Sequence, residues 1–222
     1  MFIVFEGIDG SGKTTVSKLF SEKLKEKNKE VLWTNEPNSD TDFGLDIRSI
    51  LKKHETKLDN LTELLLFSAS RVEHIKNVIE PALKENKTVI SDRYYYSTVA
   101  YQGFAGNMEK NIISGVNGAV FNKFPIYPDI VFWIDTDIDT CMQRSKKTDA
   151  KDMMPKEYYE RCREYYSRLY NNKESYIVSH IIRIDGNQTL DKVVEDVLVE
   201  YSKYCFKEPV HLGAVAADIC DL

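Results

Sequence analysis

The amino-acid sequence predicts an α/β fold: a five-stranded parallel sheet flanked by helices on both faces. Three observations predict it. Short apolar, β-type runs recur at Phe2–Phe5, Glu30–Trp33, Thr88–Ser91, Ile130–Ile134 and His180–Ile184. The intervals between them are long enough to hold crossover helices, which parallel neighbours require. A glycine-rich turn, Gly7 to Gly12, joins the first run to a helical pattern.

Taken in order, the first run ends at Gly7, and Thr14 to Lys27 follows as a helix whose Val16, Leu19, Phe20 and Leu24 form an apolar stripe. The second run leads to a long helical pattern over Asn60–Pro81. There Leu61, Leu65, Ser68, Ala69, Val72 and Ile79 share one side at about 100° per residue and are expected to face the core. Phe67 and Arg71, four residues apart, then project roughly opposite that side. An outward Phe beside an outward Arg could stack a flat base and donate to its carbonyl or phosphate. The third run ends in Asp92-Arg93, placing an acid at the carboxyl end of a strand. After the fourth run, Lys146–Lys151 is short, polar and basic, a candidate flap within a lid at about residues 145–156. Pro155–Tyr176 reads as a Tyr-rich helix. Residues 1–205 are expected to form one domain, and 206–222, with Pro209 and no clear periodicity, a tail without assigned function.

A chain of 222 residues that is 42% hydrophobic and 29% charged can fill an interior. Its net charge of -5 offers no general field for polyanions, so no nucleic-acid partner is expected, and phosphate chemistry must rest on a local cluster of cations and N–H groups. Charges interrupt every apolar run before the roughly 18 residues a spanning helix needs, which predicts a soluble protein without a membrane span. Cys141, Cys162, Cys205 and Cys220 show no C-x-x-C pairing, and no signal peptide precedes the first strand; reduced thiols in the cytoplasm are expected.

The most specific chemical signal is Gly7-Ile8-Asp9-Gly10-Ser11-Gly12-Lys13-Thr14, which fits G-x-x-x-x-G-K-[ST] between a strand and a helix. Such glycines let successive N–H groups point at phosphate oxygens, and the helix adds its positive N-terminus. Lys13 is expected to reach the β- and γ-phosphates, and Thr14 to offer its hydroxyl to Mg²⁺. Asp92 is placed to hold the same ion, directly or through water, and Arg93 adds a cation beside it. Phosphoryl transfer is the chemistry this set suits.

The elements Phe5-Glu6-Gly7-Ile8-Asp9-Gly10-Ser11-Gly12-Lys13-Thr14-Thr15, Leu66-Phe67-Ser68-Ala69-Ser70-Arg71 and Asp92-Arg93-Tyr94 resemble the thymidylate kinase family, P-loop kinases of nucleoside monophosphates. Asn35-Glu36-Pro37 with Gly44 and Arg48, and Ser97-Thr98-Val99-Ala100-Tyr101-Gln102-Gly103, agree in order and spacing. The resemblance implies ATP-dependent transfer to dTMP, giving dTDP and ADP, with Mg²⁺ as cofactor and a homodimer as the usual assembly. It implies that Asp9 contacts the deoxyribose 3′-hydroxyl, Phe67 stacks thymine and Arg71 reads its exocyclic oxygen. Arg48 and Arg93 would hold the acceptor phosphate, and Thr98, Tyr101 and Gln102 would line the base and sugar pocket, with Tyr101 crowding a ribose 2′-hydroxyl. Lys13, Asp92, Arg93 and Arg144 form the implied catalytic set. Members with small residues inside the phosphate loop usually carry arginines in the lid; here Arg144, Lys146, Lys147 and Lys151 surround it, so lysines predominate.

Two other readings stand beside this one. Another (deoxy)nucleoside monophosphate could be the acceptor, or a deoxynucleoside, whose hydroxyl would need a positioned base. A nucleotide-dependent switch is the other, although Asn122-Lys123-Phe124-Pro125 lacks the Asp of a guanine-reading element. His54, His74, His180 and His211 are scattered, and a phosphate monoester with a second pKa of about 6 needs no general base near pH 7.

Overall fold

A computed structural model describes residues 1–53, 58–145, 154–171 and 180–207. The five expected strands are all present: β1 (Phe2–Glu6), β2 (Val31–Asn35), β3 (Thr88–Asp92), β4 (Ile130–Asp135) and β5 (His180–Asp185). They form one wholly parallel sheet in the order β2-β3-β1-β4-β5. Each strand runs one or two residues past its apolar stretch, so Glu6, Asp92, Asp135 and Asp185 sit together at the carboxyl ends.

Alternation along the strands divides the core in two. Ile3 and Phe5 of β1, with Ile130, Phe132 and Ile134 of β4, face helix α1 (Lys13–Glu26) and α9 (Leu190–Lys207). Phe20 of α1 packs its ring against Phe5, Phe132 and Tyr201 at centroid distances of 5.7, 6.0 and 5.3 Å. Burying such a ring stabilises the fold by about 1.5–3 kcal/mol, and Phe20→Ala should cost about 3–5 kcal/mol. Phe2, Val4, Val131 and Trp133 face the other way, toward α3 (Asn60–His74), α4 (Glu80–Lys84), α5 (Tyr95–Thr98), α6 (Lys110–Lys123) and α8 (Lys156–Tyr170). The helix after β1 and the helices after β3 therefore leave on opposite faces, which opens a crevice between those two strand ends, the usual ligand position in such sheets.

The helix expected over Asn60–Pro81 is three pieces. Asp59 caps its start by accepting from the Leu61 N–H at 2.8 Å, and α3 gives way at Ile75–Ile79 to a wider π-type turn before α4 begins. Pro81 has no N–H to continue an α ladder, and the wider turn ends two residues before it. The core side assigned to this helix is corrected in part. Leu61 and Leu65 are 40% and 51% exposed, whereas Leu64, Ser68, Arg71, His74, Ile75 and Ile79 are buried. Val72 packs partly buried against the core. The buried stripe is rotated because the helix is covered on a second side by the residues after β2, and that side takes polar groups.

Helices α2 (Asp42–Lys53) and α7 (Ile138–Arg144) and a second π-type turn (Val99–Ala105), which carries Tyr101 and Gln102, complete the described elements. Residues 172–176 of the expected Tyr-rich helix lie outside the described residues, as do Lys146, Lys147 and Lys151 of the expected flap and all of the tail beyond Lys207. Among the described residues no helix is long and apolar enough to cross a membrane.

Candidate active site

The phosphate loop takes its shape from left-handed backbone that only glycine adopts without strain. Gly10 has φ +79°, and a Cβ there would sit 2.1 Å from the Cys141 carbonyl oxygen; Gly12 has φ +93°, and a Cβ there would meet nothing nearer than Arg144 Nη1 at 4.0 Å. The loop closes on itself through the Ser11 N–H to the Ile8 carbonyl at 3.1 Å, and Thr136 Oγ1 at the end of β4 donates to the Ser11 carbonyl. Lys13 opens α1 with its Nζ 3.3 Å from the Ile8 carbonyl and 3.7 Å from Asp9. Burial and the nearby Arg93 charge hold the Lys13 amine below the usual lysine range, opposed by Asp9, Asp92 and Glu6. Thr14 Oγ1 donates to Asp92 Oδ2, while Asp92 Oδ1 is buried with no hydrogen-bond partner among the described residues. Arg144, at the end of α7, is exposed; its Nη1 donates to the Gly186 carbonyl at 3.3 Å and is the nearest group to Gly12.

Arg93 stands where the crevice turns. Its φ of +76° is unusual for a non-glycine residue, and the surrounding contacts hold it there. Its Nη1 donates to Ser97 Oγ at 2.7 Å and to the Gly7 carbonyl at 3.2 Å, and its Nη2 to Asp9 Oδ1 at 2.5 Å. Burial works against the Arg93 charge, but Asp9 and the neighbouring acids leave its pKa raised. In return, burial would raise the Asp9 carboxyl, and Arg93 and Lys13 outweigh it and hold it well below the usual carboxylate range. Tyr101 completes this knot, its hydroxyl donating to Asp9 Oδ2 and accepting from the Asp9 N–H, both at 2.9 Å.

A cavity of about 180 Å³ opens beside it, lined by Asp9, Glu36, Pro37, Phe67, Arg71, Arg93, Tyr94, Ser97, Thr98, Tyr101 and Gln102. Phe67 and Arg71 do meet at one site, but not as an outward platform: Phe67 is half-buried and Arg71 is 1% exposed, reaching into the cavity from within. Arg71 Nε donates to Glu36 Oε2 and Nη2 to Thr98 Oγ1, both at 2.9 Å. Gln102 Nε2 donates to Glu63 Oε2 at 2.9 Å. Arg48 is not in the lining; it is exposed on α2 and donates from Nη2 to the Pro37 carbonyl at 3.0 Å.

Sequence reasoning missed two supporting acids. Glu6 is fully buried and accepts at Oε1 from the N–H groups of Tyr94 (2.9 Å) and Ser97 (3.2 Å), and at Oε2 from the hydroxyls of Ser97 (2.6 Å) and Tyr166 (2.8 Å). Burial raises its pKa, opposed by the Arg93 charge, the Ser97 and Tyr166 hydroxyls and the Tyr94 N–H. It thereby fixes the turn that carries Arg93. Glu36 does the same for Arg71. Each is a charge closing an apolar or extended run, and that was the available signal.

Comparison with known proteins decides the family. A family model described as thymidylate kinase matches residues 5–197. The chain belongs to the thymidylate kinase family. It is 38% identical over 214 residues to the thymidylate kinase of Kosmotoga olearia, spanning 95% of this chain and 99% of that one. A probable thymidylate kinase of Methanocaldococcus jannaschii is 44% identical over 171 residues, 74% of this chain and 83% of its own length. A crystal structure of thymidylate kinase from Ehrlichia chaffeensis matches with a TM-score of 0.73 and 34% identity, covering 90% of this chain and 98% of that one. Thymidylate kinases are nucleoside monophosphate kinases, and the crevice just described has the two ends that such a transfer requires.

Proposed function

We propose that this chain transfers the γ-phosphoryl group of ATP to dTMP, giving dTDP and ADP, in the crevice between β1 and β3. The observation that carries the reading is the meeting of two unlike half-sites at Arg93: a phosphate loop on one side, and on the other a cavity where half-buried Phe67 lies beside a buried arginine with one donor unpaired among the described residues. A flat base fits against Phe67, and its carbonyl answers Arg71 Nη1. Asp9 and Tyr101 lie between the two ends, in reach of a sugar. Arg93 meets the phosphate that the two substrates must share, and Arg48 stands at the rim, donating to the Pro37 carbonyl. The dianionic acceptor attacks without a general base, so the residues' work is alignment and charge neutralisation.

Mg²⁺ fits the Thr14 hydroxyl and the orphaned Asp92 Oδ1, hard oxygen donors beside the phosphate loop. When bound with ATP it would neutralise charge on the phosphate oxygens. Arg144 extends over the loop from α7 and supplies a cation to the transferring group.

We further propose a cytoplasmic homodimer. Helices α2 and α3 leave Phe43, Ile50, Leu61 and Leu65 exposed, an apolar set that a second copy would cover. Cys141, Cys162 and Cys205 are free thiols, in keeping with a reducing compartment.

The test is ADP release from Mg-ATP with dTMP, dUMP, dCMP, UMP, AMP, GMP and thymidine offered separately. dTMP should give by far the highest kcat/KM. A higher value for a purine monophosphate or for thymidine would refute the acceptor assignment, and activity with none would refute the kinase reading of the cavity.

A further inference from the structure

We propose that His74 is a positioning residue for the acceptor base, acting through Glu36 to hold the Arg71 guanidinium with one donor directed into the cavity. The inference rests on the reading of the cavity as the dTMP base site.

His74 has 0% exposure, and both ring nitrogens are engaged. Nδ1 lies 3.2 Å from Glu36 Oε1 and Nε2 lies 2.8 Å from Thr34 Oγ1. A carboxylate only accepts, so the ring nitrogen facing it is a donor. Thr34 Oγ1 donates in turn to Asp40 Oδ2 at 2.5 Å, which ties the ring to the segment between β2 and α2.

Glu36 divides its two oxygens between two partners. Oε1 goes to His74, and Oε2 accepts from Arg71 Nε at 2.9 Å with Nη2 in ion-pair contact at 2.8 Å. Thr98 Oγ1 also accepts from Nη2, and the guanidinium lies 5.5 Å from the Tyr94 ring centre. With those groups fixed, Nη1 is left as the one Arg71 nitrogen without a partner among the described residues, and Arg71 lines the cavity.

Removing His74 frees Oε1 in a buried place with no donor. The cheapest repair is rotation of the carboxylate so that its two oxygens share the Arg71 guanidinium, Oε1 taking a donor that Oε2 or Thr98 now faces. That turns the guanidinium in its own plane and moves Nη1 off the base. His74 touches neither the base nor the phosphate, so its effect must appear in how well the base is held and told apart. A merely structural histidine would change stability without changing that.

The experiment measures dTMP, dCMP and ATP kinetics for His74→Leu, His74→Asn and His74→Gln beside the parent and Phe67→Ala. His74→Leu should lower kcat/KM for dTMP by about tenfold, the low end for losing a hydrogen bond to a charged group. The dTMP-to-dCMP preference should shrink with it, and KM for ATP should stay within about twofold. An Asn amide nitrogen can occupy the place of Nδ1, and a Gln amide nitrogen that of Nε2, so Asn should restore the preference and Gln should not. A lowered Tm with unchanged dTMP KM and unchanged preference would overturn the proposal. If His74→Leu does not fold, the Asn and Gln pair decides alone, and equal preference in both overturns it. Should Phe67→Ala leave dTMP kinetics unmoved, the cavity assignment itself fails and the inference with it. A clear Phe67→Ala effect with none from the His74 variants would sink only the role of His74.

Discussion

The two ends of the crevice are built in opposite ways. At the proposed phosphate end, eight consecutive residues, Gly7 to Thr14, make the loop and carry one of its cations, Lys13. At the proposed base end, Glu36, Phe67, Arg71, Thr98, Tyr101 and Gln102 come from three separate segments and act through side chains. Local turn chemistry makes the first end, and tertiary packing makes the second. Damage to the first should therefore strike the chemistry whatever the acceptor, and damage to the second should strike the choice of acceptor.

Lys13→Ala gives the largest expected effect. It should lower kcat by about 10²- to 10³-fold with every acceptor alike, the scale of removing one preorganised group that meets transition-state charge. A loss confined to dTMP would break the contrast. Phe67→Ala comes next: stacking lost from the base should raise KM for dTMP by about tenfold, with KM for ATP unchanged, as read from initial rates at saturating partner substrate. The loop glycines sharpen the contrast within the phosphate end. Gly10→Ala should lower Tm more than Gly12→Ala, because both need positive φ, at about 1 kcal/mol or more, and only Gly10 has the Cys141 carbonyl in the way. Leu65→Glu, outside both ends, should leave kcat per chain nearly unchanged while dissociating the proposed dimer by sedimentation. An unchanged dimer would remove α3 from that interface.

The same contrast explains what could be read from the sequence. The sheet and α1 were legible because their apolar residues have one duty, burial: Val16, Phe20 and Leu24 are all buried where period 3.6 places them. Helix α3 has two duties. It presents Leu61 and Leu65 to solvent and buries Arg71 and His74, so counting apolar residues turned its core side away from the truth and put Arg71 outside. Phe67 and Arg71 still line one cavity together, because i, i+4 adjacency survives any rotation of the helix. Glu6 and Glu36 were beyond such reasoning. Their meaning comes from partners up to 160 positions away, Tyr166 for Glu6, and 38 positions away, His74 for Glu36. Arg48 was drawn to the acceptor phosphate by resemblance, and the structure places it at the rim on Pro37.

The central claim, two separable ends in one crevice, is tested most directly by equilibrium binding of dTMP and of ATP to Arg71→Ala. Arg71 is buried, so its far-UV spectrum and Tm should be recorded on the same sample. The account predicts that dTMP affinity falls by about 10- to 100-fold, as expected for a lost charge-assisted hydrogen bond, while ATP affinity stays within about twofold. Unchanged dTMP affinity in a folded variant, or a parallel loss of both ligands, would contradict it.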